Sequence, residues 1–180
     1  MSIYSSLIQR KFKHIAGKRY ERILKEYREF LLTEEEMVLP EIGSILMPID
    51  RYVREIPKDL YDTLSAYDAT ILLVYIIDSQ VFSIIRQTLS KEASEEFKRK
   101  EELNGEKMLG KIAKELENLG LRTQRRLFFG NKSEDVIKIA NNYEMLAISK
   151  AYGSEITKSS PLSPVVLKII QHLEIPTIVY

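Results

Sequence analysis

The nine-residue apolar run Ala69–Ile77, rich in Ile, Leu and Val, constrains this chain more than any other stretch. A strand with one wet face alternates polar and apolar residues. A run without alternation belongs to a strand covered on both faces, the usual condition in a parallel sheet. Asp78 and Ser79 close it. It is far too short for a bilayer, which takes about 20 residues. No apolar stretch of a secretory leader precedes the first charges, so the expectation is a soluble cytoplasmic protein.

The flanking texture repeats from Ser44 onward. Ile45-Leu46-Met47-Pro48-Ile49-Asp50 reads as a short buried strand ending in a carboxylate. Pro57 suits the first turn of a helix over 57–66. Residues 81–119 read as helix in two pieces, Val81–Leu89 and a second carrying Met108, Leu109, Ile112, Ala113, Leu116 and Leu119. The charged stretch between them, Lys91–Glu106, is expected to be solvated. Gly120 ends the helix as a residue free to take positive φ. Leu121–Phe129 reads as a strand, 133–142 as a helix capped by Ser133, and Met145–Ile148 as a strand. After a polar loop, Ser163-Pro164 opens a helix over 164–173, and Ile175–Tyr180 is the last strand. The order β-α-β-α-β-α-β-α-β implies an α/β domain, a doubly wound parallel sheet with right-handed crossovers. Ligands of such sheets bind beyond the carboxyl ends of the strands, where the strand order reverses.

The first 32 residues differ. Ile3, Leu7, Ile8, Phe12, Ile15, Ile23, Leu24, Tyr27 and Leu31 recur at near-helical spacing, with eight bases and three acids, a net charge of +5. The remainder has 19 bases and 23 acids, net −4. The division expected is a basic amphipathic helical extension over 1–43 and an α/β domain over 44–180. The apolar stripe calls for burial on its own domain, a second subunit or a partner protein. Its bases are interrupted by acids, which disfavours nucleic acid and lipid. An adaptor acting on a membrane surface or nucleic acid through this helix is the rival reading.

The chain has no Cys and only two His, His14 and His172, which excludes thiol chemistry and leaves no basis for a zinc site. GxxxxGK[ST], GxSxG, HExxH and GxGxxG are all absent. No catalytic residue and no metal ligand is therefore assigned. Asp50, at a strand's carboxyl end, is the best single site candidate. Asp78 is expected to be a strand-end cap, Lys150 and Lys158 to be solvated, and His172 to sit in a last helical turn, where the helix dipole favours it.

The strings from Ile45 to Asp50 and Leu73 to Asp78, with Leu119-Gly120-Leu121, Phe129-Gly130, Glu134–Ile137, Leu146-Ala147-Ile148 and Ile175–Tyr180, resemble the universal stress protein family in order and spacing. The resemblance covers about residues 44–180. It implies five parallel strands in order 3-2-1-4-5, a non-catalytic regulatory or binding module of the stress response, and ATP or AMP as ligand. Matching positions for the nucleotide are Pro48, Asp50, Ile76, Ile148, Ser149, Gly153, Ser163 and Val165. The family's loop after strand four reads Gly-x2-Gly-x9-Gly-(Ser/Thr). Here Ser149 and Tyr152 stand at the first two glycines, and Leu162 or Ser163 at the third. Arg51-Tyr52 replace the small residues after strand one. No cofactor is therefore firmly expected, and nucleotide should bind weakly or not at all. The competing reading is an ATP- or AMP-binding stress protein with an atypical Ser/Lys-rich phosphate loop. The last strand, at a sheet edge with no lysine guarding it, implies a homodimer through Ile175–Tyr180, to which the N-terminal helix would add.

Overall fold

The computed structural model describes residues 41–53 and 55–180. The amphipathic stripe of residues 1–32, His14 and the expected helical extension lie outside the described residues.

Among the described residues there are five strands and five helices, in the order β1 (Ser44–Ile49), α1 (Lys58–Ser65), β2 (Thr70–Asp78), α2 (Ser79–Thr88), α3 (Lys91–Asn118), β3 (Arg122–Gly130), α4 (Lys132–Ala140), β4 (Met145–Ile148), α5 (Pro164–Ile170) and β5 (Thr177–Val179). All strand pairings are parallel, in the order β3-β2-β1-β4-β5. β2 is central, with seven consecutive residues, Ile71 to Ile77, buried. The direction of winding reverses between β1 and β4, so a crevice opens beyond their carboxyl ends.

Alternation along the strands sorts side chains into two cores. Ile45, Met47, Ile49, Leu73 and Tyr75 face α1 and α3. Leu46, Val74, Ile76 and Ile148 face α4 and α5. Each fully buried aliphatic side chain contributes about 1.5–3 kcal/mol, so both layers are needed.

Helix ends follow local chemistry. Asp78 ends β2 and also caps α2, accepting from the amides of Gln80 (2.9 Å) and Val81 (3.2 Å). Asn131, rather than Ser133, caps α4, accepting from the amides of Ser133 and Glu134. This starts the helix at Lys132, one residue early. Gly120 takes φ +82° after α3, and the Leu121 amide reaches back to the Leu116 carbonyl. His172 lies just beyond α5, its Nδ1 2.8 Å from the Lys168 carbonyl oxygen.

One expectation is corrected. The charged stretch 91–106 is not wholly solvated, because α3 is one 28-residue helix that buries Ser94, Glu101 and Gly105. The buried Tyr75 hydroxyl donates to Glu101 at 3.0 Å and accepts from Asn104 at 3.2 Å. Gly105 lies so close to the Tyr75 ring that a Cβ would come within 2.7 Å of it. A polar partner and a missing side chain here serve a tyrosine of the central strand.

Candidate functional site

Asp50 follows β1 on the side chain register of Leu46 and Pro48, and so points toward α4 and α5. It is 0% exposed. Burial of a carboxylate demands partners, and Asp50 has three. Oδ2 meets Lys132 Nζ at 2.7 Å and accepts from the Gly153 amide at 2.8 Å; Oδ1 accepts from the Tyr52 amide at 3.0 Å.

Lys132 is itself only 7% exposed. It is the first residue of α4, where the helix dipole disfavours a cation. Two aromatic rings compensate alongside Asp50. The ammonium lies 5.4 Å from the Tyr52 ring centroid and 5.8 Å from that of Tyr152, within range of a cation–π contact. Tyr52 and Tyr152 are the residues that replace the small residue after strand one and the second glycine of the loop pattern. Side chains of the protein thus fill the end of the strands on this side.

The β4–α5 loop is folded onto this cluster. Tyr152 is fully buried, and its hydroxyl has no hydrogen-bond partner among the described residues. Burial first, then the charges of Asp50, Asp78 and Asp135, hold that hydroxyl's pKa well above the usual tyrosine value. Gly153 has φ +90°, and a Cβ there would come within 2.5 Å of Val165, so neither the conformation nor the space admits a side chain. Ser163 accepts from the Val165 amide at 3.2 Å and from the Ser154 hydroxyl at 3.1 Å. Ser149 accepts from the Ala151 amide at 3.3 Å.

The residues matched to a nucleotide site therefore fall into two groups. Asp50, Gly153, Ser163 and Val165 come together at one place, bonded or packed on one another. Pro48, Ile76 and Ile148 are buried strand residues beneath them, and Ser149 sits at the end of β4. Lys132, which holds the centre of the cluster, is absent from the sequence-based assignment. A lysine at a helix start looks like any solvated lysine, and its partner lies 82 residues away.

Beyond the same strand ends, on the side where Tyr180 packs, lies a cavity of about 490 Å³. Arg51 and Glu55 from the β1–α1 segment line it, with Ser149, Lys150 and Ile156 from the β4–α5 loop and Tyr180. A second cavity of about 240 Å³ adjoins it, sharing Arg51 and Glu55. Of the expected nucleotide residues, only Ser149 reaches the larger one. The Tyr180 hydroxyl is buried without a partner among the described residues, and burial, then Asp50, raises its pKa. Among the described residues no group of three or more His, Asp or Glu is placed to hold a metal, and no helix is long and apolar enough to cross a membrane.

No family model matches this chain, and no curated protein is significantly similar to it. Solved structures are similar in fold. The hypothetical protein MJ0577 is 21% identical over 77% of this chain and 95% of its own, with TM-score 0.61. Universal stress protein UspA from Lactobacillus plantarum is 10% identical, covering 78% and 99%, with TM-score 0.61. A universal stress protein family member from Burkholderia pseudomallei is 13% identical, covering 79% and 98%, with TM-score 0.50. The chain has the universal stress protein fold.

Proposed function

From that fold, we propose that this protein is a non-catalytic regulatory or binding module in which the crevice side matched to nucleotide does not take ATP or AMP. The observation that carries this is the saturation of Asp50 by Lys132, Gly153 and Tyr52 at 2.7, 2.8 and 3.0 Å. A nucleotide would have to displace a buried ammonium from its carboxylate, leaving one charge uncompensated, which costs about 3–5 kcal/mol. The amides of a phosphate loop are also engaged: Gly153 N–H on Asp50 and Val165 N–H on Ser163. Several loop hydroxyls bond within the loop, Thr157 with Ser159 and Ser160 with the Leu162 carbonyl. This weighs against the Ser/Lys-rich phosphate-loop alternative. Calorimetry of the full chain with ATP and magnesium tests the reading. The expected result is no binding tighter than about 0.1 mM. A low-micromolar dissociation constant would overturn it.

The same reading includes a homodimer through the last strand. Among the described residues β5 pairs only with β4, so its outer edge offers backbone groups unpaired there, and the strand spans Thr177–Val179 within the stretch Ile175–Tyr180. Light scattering at micromolar concentration should give twice the chain mass, and Ile178→Lys should halve it. A monomer in the unaltered protein would remove the dimer from the proposal.

A further inference from the structure

The cavity beside Tyr180 has a chemistry of its own, independent of whether nucleotide binds elsewhere. Its volume of about 490 Å³ suits a small metabolite. Its wall carries both charges. Lys150 and Glu55 each line it, and neither side chain has an ion-pair or hydrogen-bond partner among the described residues. Arg51 adds a second cation, held by a 2.9 Å bond from its guanidinium to the Tyr52 hydroxyl and by a 3.7 Å ion pair with Glu101. Two neutral residues, Tyr180 and Ser149, also line it. The Tyr180 hydroxyl is buried with no hydrogen-bond partner among the described residues. The buried Ser149 hydroxyl accepts one amide, and its own proton is uncommitted among the described residues. Buried polar groups left unpaired cost about 1–3 kcal/mol each, so such groups mark where a partner belongs. Ile156 supplies apolar surface at the rim.

This wall selects by charge. A simple anion would satisfy Lys150 and Arg51 and meet the lining carboxylates Glu55 and Glu155 unfavourably. A simple cation would do the reverse. A molecule carrying both signs satisfies both ends and brings polar atoms to Tyr180 and Ser149. We propose that this cavity is a binding site for a small zwitterion of free amino acid size, its carboxylate toward Lys150 and Arg51 and its ammonium toward Glu55.

The test uses the full-length ¹⁵N-labelled protein, titrated separately with each of the common L-amino acids to about 10 mM. At least one should saturate with a dissociation constant below about 1 mM, moving the amide signals of Ser149, Ala151 and Tyr180. Lys150→Ala and Glu55→Gln should each weaken it about tenfold or more. Both side chains are exposed, so neither change threatens folding. Lys158→Ala, in the same loop outside the cavity, should leave the constant unchanged. Absence of any shift at those amides across the panel overturns the proposal. So does binding that survives both substitutions, or acetate binding as tightly as the amino acid. Tight ATP binding in the calorimetric experiment would sink the earlier reading and leave these shifts as they are.

Discussion

The two sides of the crevice at the carboxyl ends of β1 and β4 are built from neighbouring residues and have opposite characters. On the α4/α5 side, Asp50, Lys132, Tyr152 and Gly153 satisfy one another in the interior, with Asp50 and Tyr152 fully buried. On the Tyr180 side, the side chains of Lys150 and Glu55 line a cavity without partners among the described residues. Tyr52 serves both, its ring near Lys132 on one side and its hydroxyl bonded to Arg51 on the other. The contrast shows how a sheet of one topology can close one half of its crevice with its own side chains and keep charge displayed in the other.

Stability measurements should separate the two sides most sharply. Lys132→Ala removes the ammonium and strands a buried carboxylate, for an expected loss of about 3–5 kcal/mol in denaturant unfolding. Lys150→Ala or Glu55→Gln should change stability by no more than about 0.5 kcal/mol. The double variant Asp50→Asn with Lys132→Met should lose less than the sum of its single changes, because the two groups are coupled. Equal losses on the two sides would erase the distinction.

Alkaline pH offers the next largest effect. Tyr75 and Tyr152 are fully buried, and burial raises both of their pKa values above the ordinary tyrosine value of 10.0. The folded chain then keeps protons that the unfolded chain releases. Stability from this source is complete below about pH 10 and falls as pH rises beyond it, by about 1.4 kcal/mol per pH unit for each such tyrosine. Tyr152→Phe should flatten the decline by one tyrosine's share, read from unfolding curves between about pH 9 and 11. An unchanged slope would mean that Tyr152 ionises in the folded state.

The smallest effect tests the two unpartnered hydroxyls against each other. Tyr152→Phe and Tyr180→Phe each delete a buried hydroxyl that lacks a partner within the described chain. At neutral pH the Tyr152 change should leave stability unaltered or raise it by up to about 1 kcal/mol. The Tyr180 change should match it in stability and additionally weaken amino acid binding. A loss above about 1 kcal/mol in either variant would reveal a hydrogen bond unaccounted for in the chain.

Helix–strand alternation and most helix ends were legible because they rest on local pattern, while the strand order followed from the family resemblance. The unbroken run from Ala69 to Ile77 marked the central strand, and Gly120 and Ser163 marked helix ends by turn chemistry. What escaped was whatever depends on residues distant in sequence. Glu101 in a charged helix looked solvated because nothing nearby indicates that Tyr75, 26 residues away, needs it. Tyr152 was visible as a departure from a glycine pattern, but its burial against the cluster was not. Lys132 carried no signal at all, although it is the ion-pair partner of the buried Asp50.

The ion pair at the centre of the filled side also bears on heat. Hydration of charged groups grows less favourable as water warms, so the cost of keeping Lys132 and Asp50 out of solvent declines with temperature. Their 2.7 Å contact therefore becomes relatively cheaper to maintain in the hot molecule than in the cold one. Warming should loosen the exposed loop beyond Ser154 first. The segment anchored by the Gly153 amide on Asp50 should stay closed until the fold itself gives way.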